Sequence, residues 1–321
     1  MSSQDFESEL INCPVCGSAQ YSAWFTLTDR NIGLPGEFPL VRCTQCGVAY
    51  LNPRPSLDSV GRFYPRAYAP HQAPSKRTSG LLHWLRSYGQ WKRYRVLARL
   101  RWSGRVLDVG CGIGQFMVVM EQHGWKSVGI DQSEQAVAYV RGVLGLEAYQ
   151  GYFESLRLPD GAFDAITMWD SLEHMHFPRT ALREAWRLLN PGGYLIIRVP
   201  SLDSFDRHLF KTNWAGFDAP RHLVAFDRQA LIRLVADCGF TVERLWCLSG
   251  GFASFVISWR FTLGLLQDAR DWRLNIVDNP VTQLLSFPYF FLVDRLKRGS
   301  EITVLARRMP SPLPSRSDIH G

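Results

Sequence analysis

Two sets of residues in this chain have the types and spacing that chemistry requires. Cys13-Pro-Val-Cys16-Gly17 and Cys43-Thr-Gln-Cys46-Gly47 each place two thiols on a tight turn that the glycine permits. Two such turns can close a tetrahedral four-sulfur zinc site, which is structural because it leaves no open position. The second set is Asp108-Val-Gly110-Cys-Gly112-Ile-Gly114, between an apolar strand and a helix. Glycines there let the backbone approach a ligand closely. A dinucleotide loop would read G-x-G-x-x-G, but here the third glycine comes one position early and Gln115 takes its place. Asp108 suits a ligand carrying an ammonium and a sulfonium better than a pyrophosphate. Asp131, at the end of the next strand, can accept hydrogen bonds from ribose hydroxyls.

Reacting groups are expected at two further places. Trp169-Asp170-Ser171-Leu172-Glu173-His174 follows a strand and should lie at the sheet edge. His174 is the first candidate base, since a hydroxyl acceptor needs one; it could equally pack on the ligand without proton chemistry. Glu173 and His174 could alternatively contribute to a metal site. His222 is the second candidate base. It sits in a loop with Trp214 and Arg221, and the three could bind a polar or anionic acceptor. Arg221 could also simply pair with Asp218.

The elements that must position these residues alternate strand and helix. Strands are expected at 105–109, 128–131, 163–169, 194–199, 241–248 and 301–306. Helices are expected at 81–100, 115–123, 133–144, 180–189 and 228–238, with Gly124 stopping the second, Ser133 capping the third and Asn190–Gly193 forming a turn. Such alternation argues for an α/β fold with a parallel sheet covered on both faces, its ligand along one edge. Residues 250–299 interrupt the pattern as an apolar helical insertion, with Arg260 and Pro288 breaking its runs.

Composition narrows the class. The chain has 321 residues, 46% hydrophobic and 20% charged, and a net charge of +7, which suits a globular protein and permits nucleic acid, anionic lipid or an anionic substrate as partner. The acidic, polar start does not read as a signal peptide, and no run of about 18 apolar residues predicts a spanning helix. Cys111, Cys238 and Cys247 fall in apolar patterns and are expected as buried thiols. A reducing, cytoplasmic setting follows. Within 281–298, Phe287–Val293 beside Arg295, Lys297 and Arg298 could rest on a membrane surface, or pack in a dimer or beneath the zinc module.

The runs VLDVGCGIGQF, VGIDQS, LPDGAFDAITMWDSLEH and LREAWRLLNPGGYLIIRVP resemble the class I S-adenosylmethionine-dependent methyltransferases over about residues 104–250. The resemblance implies a Rossmann-like seven-stranded sheet whose last strand is antiparallel. It implies that Gly110, Gly112 and Gly114 contact the methionine part of the cofactor, with Asp108 close by and Asp131 on the ribose. Gln132 and Asp170 belong to the same cofactor-binding set. Gly151-Tyr152-Phe153-Glu154 would cover the adenine. Many relatives carry an acidic residue at the position of Tyr152, so here Tyr152 or Phe153 would stack on the ring, or Glu154 would bond the amine. The cysteine pairs resemble a zinc ribbon with structural Zn2+.

The domain organisation expected is a zinc-ribbon module at 1–62, a linker and amphipathic helix at 63–103, the methyltransferase domain at 104–250 plus 300–309, the insertion at 251–299 and a disordered tail at 310–321. The overall arrangement looks like zinc-ribbon methyltransferases that act on oxygen of a small molecule or glycan. Two other readings stay open. One is an RNA methyltransferase using the ribbon for RNA, although the [ND]-P-P-[YF] of enzymes that methylate base amines is missing after Met168. The other is a non-catalytic zinc-binding interaction protein.

Overall fold

A computed structural model describes residues 6–64, 80–100, 103–247, 251–265 and 278–309. The first five residues, residues 65–79 of the expected linker, residues 266–277 of the insertion and the expected disordered tail lie outside the described residues.

The N-terminal module is made of strands β1 (Ser8–Glu9), β2 (Tyr21–Leu27), β3 (Phe38–Cys43), β4 (Ala49–Leu51) and β5 (Arg54–Pro55). The knuckle glycines Gly17 and Gly47 both have φ of +79°, the left-handed turn for which glycine is suited. Helix α1 (Gly80–Ala98) follows, and its buried Tyr94 and Leu97 pack it on the domain behind. Then come β6 (Gly104–Val109), α2 (Gln115–Gln122), β7 (Trp125–Asp131), α3 (Glu134–Gly142), β8 (Glu147–Gln150), β9 (Phe163–Trp169), α4 (Pro178–Leu188) and β10 (Leu189–Pro200). The chain continues through α5 (Phe205–Phe210), β11 (Val224–Ala225), α6 (Arg228–Asp237), β12 (Phe240–Trp246), α7 (Gly251–Thr262), α8 (Pro280–Arg295) and β13 (Glu301–Arg308).

The seven-stranded sheet has the order β12-β13-β10-β9-β6-β7-β8. β6 through β10 run parallel, and β13 lies antiparallel between β10 and β12. From β6 the chain moves outward through β7 and β8, then returns to β9 on the other side of β6. The C-terminal ends of β6 and β9 therefore flank a topological switch point, where a doubly wound sheet opens a crevice.

Several expected boundaries shift for identifiable reasons. β7 begins at Trp125 rather than 128, because Trp125 is 1% exposed and already a core residue. Asn190–Gly193 is not a free turn. It bulges within β10, whose partners on β9 step from Leu189↔Phe163 to Tyr194↔Ala165. β8 was not expected; only four residues long with two of them exposed, it lacks a readable alternation. Pro288 does not break α8. It lies on an exposed face, where the Leu284 carbonyl it leaves unpaired can meet water. Arg260 likewise sits inside α7. Among the described residues no helix is long and apolar enough to cross a membrane. Cys111 and Cys238 are buried, while Cys247 is only partly so.

The N-terminal module is built into the domain. β11, from the 213–226 loop, pairs antiparallel with β4, so the small sheet runs β11-β4-β3-β2. One hydrophobic core includes Val15, Leu40 and Tyr50 of the module and Leu107, Ile166 and Leu234 of the domain. Arg221 seals the junction. It is 0% exposed, and its guanidinium donates to Asp29 (2.7 and 3.0 Å), Asp218 (2.8 and 2.9 Å) and the Phe63 carbonyl (3.3 Å). All five N–H donors are used. Removing one member of a buried, fully bonded charge group leaves the others uncompensated, so Arg221→Ala should lower stability by about 3–5 kcal/mol. Urea unfolding would show this as a lower midpoint at an unchanged slope; a loss below about 1 kcal/mol would place the junction's strength elsewhere.

Candidate active site

β6 delivers its last residue, Val109, to the switch point, and the chain turns through the glycines into α2. Gly110, Gly112 and Gly114 have φ of 77°, 50° and 73°. A Cβ on Gly110 would lie 2.7 Å from the Cβ of Ser171, so the loop can pack this close to the turn after β9 only with glycine there. The Gly110 and Cys111 amides donate to the Ile130 carbonyl at 2.8 and 3.0 Å, which ties the loop to β7. Asp131 is oriented by the same loop. Its carboxylate accepts from the Gly112 amide and the Ser133 amide, each at 2.8 Å.

A cavity of ≈ 490 Å³ opens over this loop. Gly110, Gly112, Asp131 and Gln132 form one wall, and Tyr152, Phe153 and Glu154 another. Tyr152 is steadied by a hydrogen bond from its hydroxyl to the Leu57 carbonyl, 3.3 Å away in the N-terminal module. Burial pushes the Glu154 carboxyl above its ordinary range. Asp170 and His174 complete the wall from the β9 side. Asp170 adopts φ of 57° and is gripped by Arg198 and Arg93. Burial opposes its charge, but the two guanidiniums outweigh burial and hold the carboxyl below its usual range.

Two residues expected at the cofactor sit beneath and behind the loop rather than on the cavity wall. Asp108 does not line the cavity. It is 3% exposed beneath the loop, where the Thr167 hydroxyl donates to it at 2.7 Å. Burial raises its carboxyl to about 6, with Thr167 and Arg93 opposing. Gly114 does not line it either. A Cβ there would press on Val140 and Leu144 at 3.0 Å, so this glycine lets α2 pack close to α3. Both residues shape the loop from behind.

The histidines come together although 48 positions separate them in sequence. The His174 and His222 rings are 4.5 Å apart, nearly perpendicular. Nδ1 of His174 lies 3.0 Å from the Arg221 carbonyl and 2.9 Å from the Tyr64 hydroxyl; Nδ1 of His222 lies 2.9 Å from the Gly216 carbonyl. Burial, reinforced by His222, lowers His174 to about 3, and burial also lowers His222. Both rings are therefore neutral near pH 7. Glu173 beside them is 1% exposed, and burial with help from Asp170 pushes its carboxyl well up.

Trp214 and Arg221 were expected to bind the acceptor, and the structure places both in the core. Trp214 is 1% exposed, packed edge-on to Phe217 at 5.1 Å, with the backbone at Gly216 wrapped tightly against its indole. Every donor of Arg221 is taken at the junction, so the pairing with Asp218 is the reading that holds. Conversely, Gly61, Tyr64, Ser171 and Met175 line the cavity without having been singled out, and Arg93 reaches Asp170 from α1. Arg93 looked like any cation of an arginine-rich helix. Tyr64 carried no periodic signal; only its place at the end of the cysteine-bearing segment hinted at a role.

A family model described as a methyltransferase domain matches residues 81–245, just over half of the chain. A curated relative from Mycolicibacterium smegmatis, described as a probable S-adenosylmethionine-dependent methyltransferase, is 29% identical over 155 residues, which are 47% of this chain and 57% of that protein. A ubiquinone biosynthesis O-methyltransferase from Xanthomonas oryzae pv. oryzae is 37% identical over 110 residues, 32% of this chain and 46% of that protein. The chain thus spans about half the length of the curated relatives it matches. The crystal structure of an S-adenosylmethionine-dependent methyltransferase from Mesorhizobium loti is similar with a TM-score of 0.49 at 19% identity, over 68% of this chain and 98% of that one. With its glycine loop at the switch point of a seven-stranded sheet and the family model spanning the segment that carries it, this chain belongs to the methyltransferase domain family.

Proposed function

We propose that the protein transfers a methyl group from S-adenosylmethionine to an oxygen of a small-molecule or glycan acceptor. The observation that carries this reading is that Gly110 and Gly112 line the cavity, with Asp131 clamped beside them by two amides. The cofactor, when bound, supplies an electrophilic methyl on a positively charged sulfur. Gly110 and Gly112 would lie against its methionine part, Asp131 would hold its ribose, and Tyr152, Phe153 and Glu154 would enclose its adenine. The chain's task is then to align the acceptor in line with the methyl and to exclude water. His174 lines the cavity. Its neutral ring can accept a hydrogen bond from an acceptor hydroxyl. Losing Asp131 removes a charged acceptor worth about 1.5–3 kcal/mol per bond, so Asp131→Ala should weaken S-adenosylmethionine binding by about 10–100-fold in calorimetry. Wild-type protein that fails to bind the cofactor, or a variant with unchanged affinity, would sink the reading.

The four cysteines fit a zinc ion. Cys13 and Cys46 sulfurs are 3.5 Å apart, as are those of Cys16 and Cys43, and all four sulfurs lie within 4.8 Å of one another. A tetrahedral ion with zinc–sulfur bonds near 2.3 Å needs sulfurs about 3.8 Å apart. Four thiolates at such spacing require a cation between them. Zinc there would lock the two knuckles and so the module that supplies Gly61 and Tyr64 to the cavity. Elemental analysis should find about one zinc held by this set. Stripping it should lower the melting temperature and weaken cofactor binding together; a zinc-free protein with both unchanged refutes the assignment.

The surface of α8 favours an acceptor at a membrane. Val281, Leu284, Leu285, Phe291 and Leu292 are 50–75% exposed along one side of the helix, while Phe290 and Val293 anchor the other. No charged residue falls between Val281 and Val293, and exposed Arg295, Lys297 and Arg298 follow. An apolar face ending in cations suits the surface of an anionic bilayer. Vesicles containing anionic lipid should sediment the protein and neutral vesicles should not, and Leu284→Asp with Leu285→Asp should abolish the effect. If those substitutions instead dissociate a dimer, the face is an interface between copies.

A further inference from the structure

Three ligating side chains meet beside the cavity, with His174 on its wall. One ligand atom each from Glu173, His174 and His222 lies within 4.8 Å of the others. The Nδ1 atoms of both histidines face backbone carbonyls, of Arg221 and Gly216. A carbonyl only accepts, so each Nδ1 carries the ring proton and each Nε2 presents a lone pair. Neither carboxylate oxygen of Glu173 has a hydrogen-bond partner among the described residues, although the side chain is 1% exposed. A buried carboxyl group without a hydrogen-bond partner is costly.

We propose that Glu173, His174 and His222 bind a divalent transition-metal ion, at a site separate from the four cysteines. Two imidazoles and one carboxylate are a donor set for manganese, iron, cobalt or zinc, whereas magnesium prefers oxygen alone. The Nδ1–H bonds to carbonyls fix both rings as the outer partners of ligating histidines do. Three protein ligands leave coordination positions open, and His174 is part of the cavity wall. The ligand for an open position is the oxygen of the acceptor. This use of the ion rests on the methyl-transfer reading, and it gives the histidines the role of ligands rather than bases. A hydroxyl on the ion loses its proton to solvent more readily than a free one. Its oxygen lone pair then forms the bond to the methyl carbon as the carbon–sulfur bond breaks, and that electron pair stays on sulfur, leaving a neutral thioether.

The test uses the full chain with its zinc in place. Mn2+ is titrated in and the loss of the free-ion electron paramagnetic signal is followed, with S-adenosylmethionine affinity measured by calorimetry on the same samples. A single Mn2+ per chain is expected, and Glu173→Gln and His222→Asn should each weaken it at least about tenfold while still binding the cofactor. Co2+ added to the wild type gives a readout that needs no variant. Nitrogen and oxygen ligation should give weak visible bands without sulfur charge transfer. Absence of Mn2+ binding, binding indifferent to both substitutions, or a cobalt spectrum of sulfur ligation alone would overturn the site. If the cofactor binds and the metal does not, only the metal site falls; if the metal binds and the cofactor does not, the methyl-transfer reading falls and the metal site stands.

Discussion

The buried guanidinium of Arg221 is the point on which the two parts of the molecule depend. Its side chain joins Asp29 of the N-terminal module to Asp218 of the loop after α5, and is closed off from solvent. Its carbonyl orients His174, and the next residue is His222. Burying such a charge gains little stability over an apolar substitute, but it tolerates few alternative arrangements. The bidentate pairing fixes where the loop sits relative to the module, and through the carbonyl it fixes the ring that faces the cavity. Position, rather than net stabilisation, is what this residue contributes.

The sheet supplies the other constraint. β6 lies between β9 and β7, so the loops after β6 and β9 must pass close to each other. That proximity is why Gly110 has no room for a Cβ against Ser171. The glycine pattern is thus a consequence of topology as much as of the ligand. Gly114 makes the same point one turn later, since its missing side chain admits Val140 and Leu144 of the neighbouring helix and its residue never reaches the cavity.

What the sequence revealed and what it hid divide along this line. Local signals read well: the loop at 110–114, the Ser133 cap that accepts from the Ala136 amide, the two cysteine knuckles and the long strands each depend on near neighbours. The bond from Thr167 to Asp108 could not be read, because a carboxylate before a glycine loop looks the same whether or not a buried threonine donates to it. Trp214 and Arg221 were misassigned because a loop rich in polar and aromatic residues looks like a binding loop, and only the partner Asp29, far earlier in the chain, turns it into a core. The meeting of His174 and His222 could not be read, since it depends on how a connection of nearly fifty residues folds back. Tyr64 was missed for the same reason.

The consequence for specificity follows from which residues change surroundings most easily. The side of the cavity at the glycine loop is built from backbone: glycine turns, amides on Asp131, and a strand end. Such a wall has little freedom to vary. The opposite end is built from side chains of three separate segments, with Gly61 and Tyr64 from the module, His174 from the turn after β9, and His222 behind it from the loop that pairs β11 with β4. These segments are held together by Arg221 and by strand pairing rather than by a shared element. Substitutions in the module can therefore reshape that side of the cavity while leaving the glycine loop untouched. The cysteine knuckles belong to the same segment as Gly61 and Tyr64, and one continuous core joins that segment to the domain.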